Sequence, residues 1–135
     1  MTTILNSRLS KLSDDSGPIS GVQGGFKKGY SIQDNLFVMH SRISLYLSSG
    51  KKQCCPSVDF TKAFDTVWRI GLWQKLIKNK ICGKMFRVIL NWYTYIKSCV
   101  KNGDLQCNCF PCETGVRQSE KLSPCLFALY LNDLE

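Results

Sequence analysis

The chain has 135 residues and a mass of 15.3 kDa, 44% hydrophobic and 21% charged, which is enough for one domain around one core and gives no sign of a second. Lysine and arginine total 18 against 10 aspartates and glutamates, a formal charge of +8 that is spread along the chain and forms no tail. A surface of that sign suits phosphates, and it suits a plain basic, solvated face equally well; charge bears on association and leaves the chemistry to the motifs.

The stretch from Met1 to Leu12 has no long apolar run and includes Asn6, Arg8 and Lys11, so it reads as neither a signal peptide nor a transmembrane helix. An intracellular protein, nuclear or cytoplasmic, is expected. The eight cysteines (Cys54, Cys55, Cys82, Cys99, Cys107, Cys109, Cys112 and Cys125) are then expected as reduced thiols, most of them small apolar core residues.

Up to about Gly29 the chain reads as a polar, irregular lead-in punctuated by Gly17, Gly21, Gly24, Gly25 and Gly29. Ser31-Ile32-Gln33-Asp34 is a capping-box-like start, and Leu36, His40, Ile43 and Leu47 follow on one face, predicting a helix over 32–47 that stops at Ser48-Ser49-Gly50. The apolar run from Cys54 to Phe60 predicts a short buried strand, with Pro56 marking an edge or a fault because it lacks an N–H. Leu72, Leu76 and Ile77, then Phe86, Ile89, Leu90, Tyr93 and Ile96, predict two helices joined near Cys82-Gly83. Asn102-Gly103 between alternating residues predicts a hairpin with that dipeptide in its turn. Ser123-Pro124 predicts a capped helix start, followed by an apolar stripe of Leu126, Phe127, Tyr130, Leu131 and Leu134. This last helix has no glycine stop and carries acidic residues where its dipole favours cations, so the sequence reads as cut there, with an exposed apolar face and a tendency to aggregate.

Asp59, at the end of the expected strand, is well placed to hold a hard divalent cation, although a carboxylate there also caps a following turn. Phe64 by itself reads as a core phenylalanine, and 115–124 as an exposed polar loop leading to a helix cap. The combination is more specific. Val58-Asp59-Phe60-Thr61-Lys62-Ala63-Phe64-Asp65 resembles motif A of non-LTR retrotransposon reverse transcriptases, and Gly115-Val116-Arg117-Gln118-Ser119-Glu120-Lys121-Leu122-Ser123-Pro124 resembles their motif B. A third segment, Gln23-Gly24-Gly25-Phe26-Lys27-Lys28-Gly29-Tyr30-Ser31-Ile32-Gln33-Asp34, is similar to the one that precedes motif A in that family, and the three stand in the family's order.

The resemblance implies that Asp59 is the catalytic metal ligand and that Phe64 is an aromatic gate against the sugar of the incoming nucleotide. Gln118 would lie beside that nucleotide, Ser123 and Pro124 would touch the template, and Arg117, Lys27 and Lys28 would meet nucleic-acid phosphates. Lys62 and Asp65 would orient the turn after the strand. The implied fold is α+β, a partial fingers and palm with a fingers-like lead-in and helix over 1–52 and a palm-like part with motifs A and B over 53–135. The implied parent reaction is dNTP addition to a DNA primer on an RNA template with two Mg²⁺ ions.

The family completes its metal site with a Tyr-x-Asp-Asp hairpin, motif C, and the one Asp-Asp pair here is Asp14-Asp15 in the lead-in. One carboxylate cannot both activate a primer hydroxyl and stabilise a leaving pyrophosphate. The expectation is therefore a retrotransposon fragment without motif C or thumb, inactive alone, whose missing portion would have to come from another chain. Ser119 stands where the family has glycine, a second departure after Pro56. The rival readings are a zinc module built on Cys99, Cys107, Cys109 and Cys112, in which only Cys109-Phe110-Pro111-Cys112 has the usual CxxC form, and an RNA-binding module without catalysis.

Overall fold

The most apolar segment takes the centre of the molecule. Helix α5 (Ser123–Leu131) buries Ser123, Cys125, Leu126, Phe127, Ala128 and Leu129, so apolar side chains surround it and no single stripe describes it. The expected exposed, aggregation-prone face on this helix is not there. The computed structural model describes residues 2–16, 20, 23–26 and 29–134, and of residues 13–16 the backbone alone.

Around α5 pack α1 (Thr2–Ser16) and α3 (Arg69–Lys78), and α4 (Gly83–Thr94) packs on α3. Helix α1 corrects the expectation of an irregular lead-in. Leu5 and Leu9, one turn apart, are buried and join Leu72, Leu76, Ile89, Leu126 and Leu129 in one core. Each such leucine contributes about 1.5–3 kcal/mol when fully buried. In α3, Leu72 and Leu76 face inward as expected and Ile77 is exposed; in α4, Ile89 and Tyr93 are buried. Lys75 binds both the Tyr130 carbonyl and the Asp133 carboxylate, placing a cation at the carbonyl end of α5.

Helix α2 (Ile32–Ser48) forms where the sequence places it, with the Ser31 hydroxyl accepting from the Gln33 N–H at 3.1 Å and Gly50 at φ 68° behind its end. None of its residues is buried. It exposes a run of apolar side chains, among them Leu36, Phe37, Val38, Met39, Leu45 and Leu47.

The strand expected over 54–60 is absent. Those residues are exposed and belong to no ladder, because among the described residues no neighbouring strand takes up their backbone groups, and Pro56 has no N–H to offer. The hairpin is present in two short antiparallel pieces. The first pairs β1 (Lys97–Ser98) with β4 (Phe110–Pro111), and the second pairs β2 (Lys101–Asn102) with β3 (Leu105–Gln106). Its turn is Gly103-Asp104 rather than Asn102-Gly103, with Asn102 in the ladder and Gly103 at φ 60°. The architecture is α+β, and among the described residues no helix is long and apolar enough to cross a membrane.

The cysteines also depart from expectation. Cys125 is buried and Cys112 half-buried, while Cys54, Cys55, Cys82, Cys99, Cys107 and Cys109 are exposed, because the segments expected to bury them are loops, a helix-to-helix link and a two-sided hairpin.

One polar side chain ties these parts together. Arg69, on the first turn of α3, is 9% exposed and donates to four carbonyl oxygens, those of Gly115 (2.8 Å), Tyr93 (3.1 Å), Cys112 (2.6 Å) and Thr114 (2.8 Å). Burial draws its pKa down from the ordinary arginine value, and the carbonyl dipoles compensate the lost hydration. Replacing Arg69 with methionine strands those acceptors, and the expected cost is about 3 kcal/mol or more. A urea-unfolding midpoint for Arg69→Met within error of wild type would contradict this.

Candidate nucleotide and template site

The turn after Asp59 and the segment before α5 are clipped together by backbone. The Val116 N–H donates to the Phe64 carbonyl at 2.7 Å, and the Gly115 N–H donates to the Val67 carbonyl at 2.9 Å. Gly115 permits this approach: its φ is +79°, and a Cβ there would sit 2.6 Å from the Asp65 carbonyl oxygen. Gly115→Ala should therefore cost about 2 kcal/mol or more, read as a drop in unfolding midpoint, through forced displacement of residues 64–65.

The two motifs thus meet in space. The Gln118 side-chain amide donates to the Asp65 carboxylate at 2.8 Å. The Phe64 ring stacks on Phe127 of α5, with centroids 4.9 Å apart, and takes the edge of Phe26 at 6.2 Å. Phe26 belongs to the segment preceding α2, so that segment, motif A and the helix that follows motif B contribute to one aromatic cluster. Beside it lies a groove of about 440 Å³ lined by Phe64, Arg117, Gln118, Ser119, Ser123 and Pro124.

The Arg117 guanidinium lies 5.5 Å from the centre of the Trp92 ring, which holds its planar head at the groove. Glu120 accepts from the Trp92 indole N–H at 2.8 Å and from the Tyr93 hydroxyl at 3.4 Å, anchoring the loop on α4. Ser123 does not cap α5 as expected. It is the helix's first residue, behind Leu122, and its buried hydroxyl lies 3.4 Å from that of Tyr93. The roles of Arg69, Trp92, Tyr93 and Glu120 escaped sequence reasoning, because an arginine and a tyrosine on apolar helix faces give no local sign of the loop they hold.

Asp59 is exposed, outside this groove, and makes no hydrogen bond or ion pair among the described residues. Lys27 and Lys28 lie outside the described residues. Among the described residues no three His, Cys, Asp or Glu side chains gather where they could hold a metal ion. The donor set for a magnesium cage is thus not assembled: Asp59 offers one carboxylate, and Asp65 is engaged by Gln118. Cys99, Cys107, Cys109 and Cys112, expected as zinc ligands, form no such group of three or more among the described residues either.

Ser119 adopts φ 61°, the left-handed region that favours glycine. Ser119→Gly should stabilise the fold by about 1 kcal/mol, seen as a higher denaturation midpoint. Burial pushes the Tyr93 phenol above its ordinary value near 10. The fold thus disfavours the phenolate, so the contribution of Tyr93 is complete below the unfolded value and is lost as pH rises through the higher folded one. Tyr93→Phe should flatten the alkaline fall in melting temperature, and an unchanged alkaline limb would contradict the assignment.

Residues 1–135 match the family model described as Reverse transcriptase (RNA-dependent DNA polymerase). The chain is an RNA-directed DNA polymerase-type domain, and by that match over its whole length it belongs to the reverse transcriptase family. No curated protein and no solved structure gives a significant match.

Proposed function

We propose that this chain is the fingers and palm portion, through motif B, of a non-LTR retrotransposon reverse transcriptase, with its template and nucleotide contacts along the Phe64–Gln118 groove. The observation that carries the reading is the Gln118–Asp65 hydrogen bond, which joins the motif B resemblance to the motif A resemblance at the groove beside Phe64. In this reading the Phe64 ring limits the room at the nucleotide sugar, Gln118 fixes the loop over the base, and Ser123-Pro124 supports the template. Arg117, with one face on Trp92, presents its planar donors to a phosphate. Residues 1–52 form the fingers-like part and 53–135 the palm-like part, although α1 packs directly on α5.

Asp59 is the catalytic carboxylate of this proposal, and the described residues do not supply the set of carboxylates that a two-metal reaction needs. Polymerisation therefore requires carboxylates beyond those described, from further sequence or another chain. The setting is intracellular, nuclear or cytoplasmic, where RNA template, DNA primer and dNTP meet.

Two measurements test this. Fluorescence anisotropy with an RNA–DNA template–primer should show binding that weakens as salt rises, and Arg117→Gln should lower the salt slope by about one. Binding that is indifferent to salt, or to Arg117, would count against the groove. Primer extension on poly(rA)/oligo(dT) with Mg²⁺ should fail for the 135 residues alone. Extension that is abolished by Asp59→Asn would instead show a complete metal site and overturn the incomplete one.

A further inference from the structure

The register of the hairpin bears on two of its free cysteines, Cys99 and Cys109. Pro111 has no N–H, so the Lys97↔Pro111 pair is a non-hydrogen-bonded one. Alternation along an antiparallel ladder makes the next pair, Ser98↔Phe110, hydrogen-bonded, in agreement with the Cys112 N–H donating to the Ile96 carbonyl at 3.0 Å two positions the other way. The observed ladder ends there; carried one residue further, its register sets Cys99 opposite Cys109.

From the turn side the register runs differently. Lys101 pairs with Gln106, and the Cys107 N–H donates to the Val100 carbonyl at 3.0 Å, so Val100 faces Cys107. The two registers differ by one residue, and the extra residue is Asn108: a bulge in which Asn108 and Cys109 together face Cys99. The Gln106 amide donates to the Cys99 sulfur at 3.0 Å, which places the Cys99 side chain on the hairpin face that Lys101 and Gln106 share. Counting from the base, Cys109 falls on the face of Lys97, Cys99 and Pro111. The neighbouring thiols are directed elsewhere: the Cys107 sulfur accepts the Val100 N–H at 3.0 Å, and the Cys112 thiol contacts the Ser98 hydroxyl at 3.0 Å.

We infer that Cys99 and Cys109 form a reversible cross-strand disulfide. Facing Cα atoms in a regular antiparallel ladder are about 4.5–5.5 Å apart, and a bulge shifts Cys109 from that regular position while leaving the pair inside the roughly 4.4–6.8 Å that a disulfide spans. Both thiols are exposed to an oxidant. With oxidised glutathione, one cysteine thiolate attacks a glutathione sulfur, forming a mixed disulfide and expelling one glutathione. The second thiolate attacks the protein-side sulfur, forming the Cys99–Cys109 bond and expelling the other. Two electrons pass from the cysteines to the glutathione disulfide, and the two thiol protons end on the released glutathiones. The bond encloses residues 100–108 and pins the bulge. It sits on the ladder that leads to Cys112, whose carbonyl Arg69 holds.

Intact-mass spectrometry and tryptic mapping of the full chain after incubation with oxidised glutathione test this. The expected product joins peptide 98–101 to peptide 102–117 with the loss of two hydrogen atoms between them, whatever glutathione the other exposed cysteines carry, and dithiothreitol reverses it. Cys99→Ser and Cys109→Ser should each abolish that link, while Cys107→Ser and Cys112→Ser should keep it, with far-UV circular dichroism showing every variant folded. A link that survives Cys109→Ser, a glutathione adduct left standing on Cys99, or no reaction at all would overturn the inference.

Discussion

A buried guanidinium holds this chain in the shape that matters for its site. Arg69 leaves water at the first turn of α3 and recovers its lost hydration from the carbonyls of Tyr93, Cys112, Thr114 and Gly115, which belong to the end of α4, the strand leaving the hairpin and the loop before α5. A lysine could not do the same, because its point charge cannot reach so many acceptors from one rigid plane. Since bare backbone acceptors in a buried place are costly, the arrangement is strongly specified once the apolar core has formed. The Gly115 and Val116 N–H groups then fall opposite Val67 and Phe64, and motif B comes to rest on the turn after Asp59.

The groove follows from that clip. Phe64 is fixed by its stack on Phe127, so the most buried helix of the fold carries the aromatic wall of the site. Gln118 is fixed by Asp65, and Arg117 and Glu120 are fixed by Trp92 and Tyr93 on α4. Ser119 sits within this loop in a backbone conformation that a glycine would adopt more easily, which is a local cost in a segment held at both sides. Asp59 stands apart, on a segment that pairs with no strand among the described residues. The family match assigns the chain to RNA-directed DNA polymerases, and the geometry shows a groove beside Phe64 and Gln118 with no cluster of three carboxylate, cysteine or histidine groups among the described residues.

Much of this was legible in the sequence, because the elements concerned are local. The Ser31 cap and the period of α2, the break at Cys82-Gly83 and the hairpin around Gly103 are set by residues within a few positions of each other. What escaped was non-local. The strand over 54–60 depends on a partner, and apolar residues in a row do not supply one. Helix α1 was hidden because its buried stripe is just Leu5 and Leu9 among polar residues, and its burial comes from α5, more than a hundred positions away. The exposure of the hairpin cysteines depends on neither hairpin face being covered. Phe64, Gln118 and Arg117, which line the groove, were singled out through the motifs, whereas Arg69 and Glu120 act on backbone and rings distant in sequence and leave no pattern.

Arg69 positions the loop carrying Gln118 against the turn carrying Phe64, and the rest of the site rests on that placement. Amide hydrogen exchange in Arg69→Lys, which keeps the charge and loses the fork, tests it most directly. The predicted result is exchange at the Gly115 and Val116 amides faster by about tenfold or more, an opening made easier by roughly 1.4 kcal/mol, with the amides of α2 unchanged. Wild-type protection at Gly115 and Val116 in a folded Arg69→Lys protein would contradict the account.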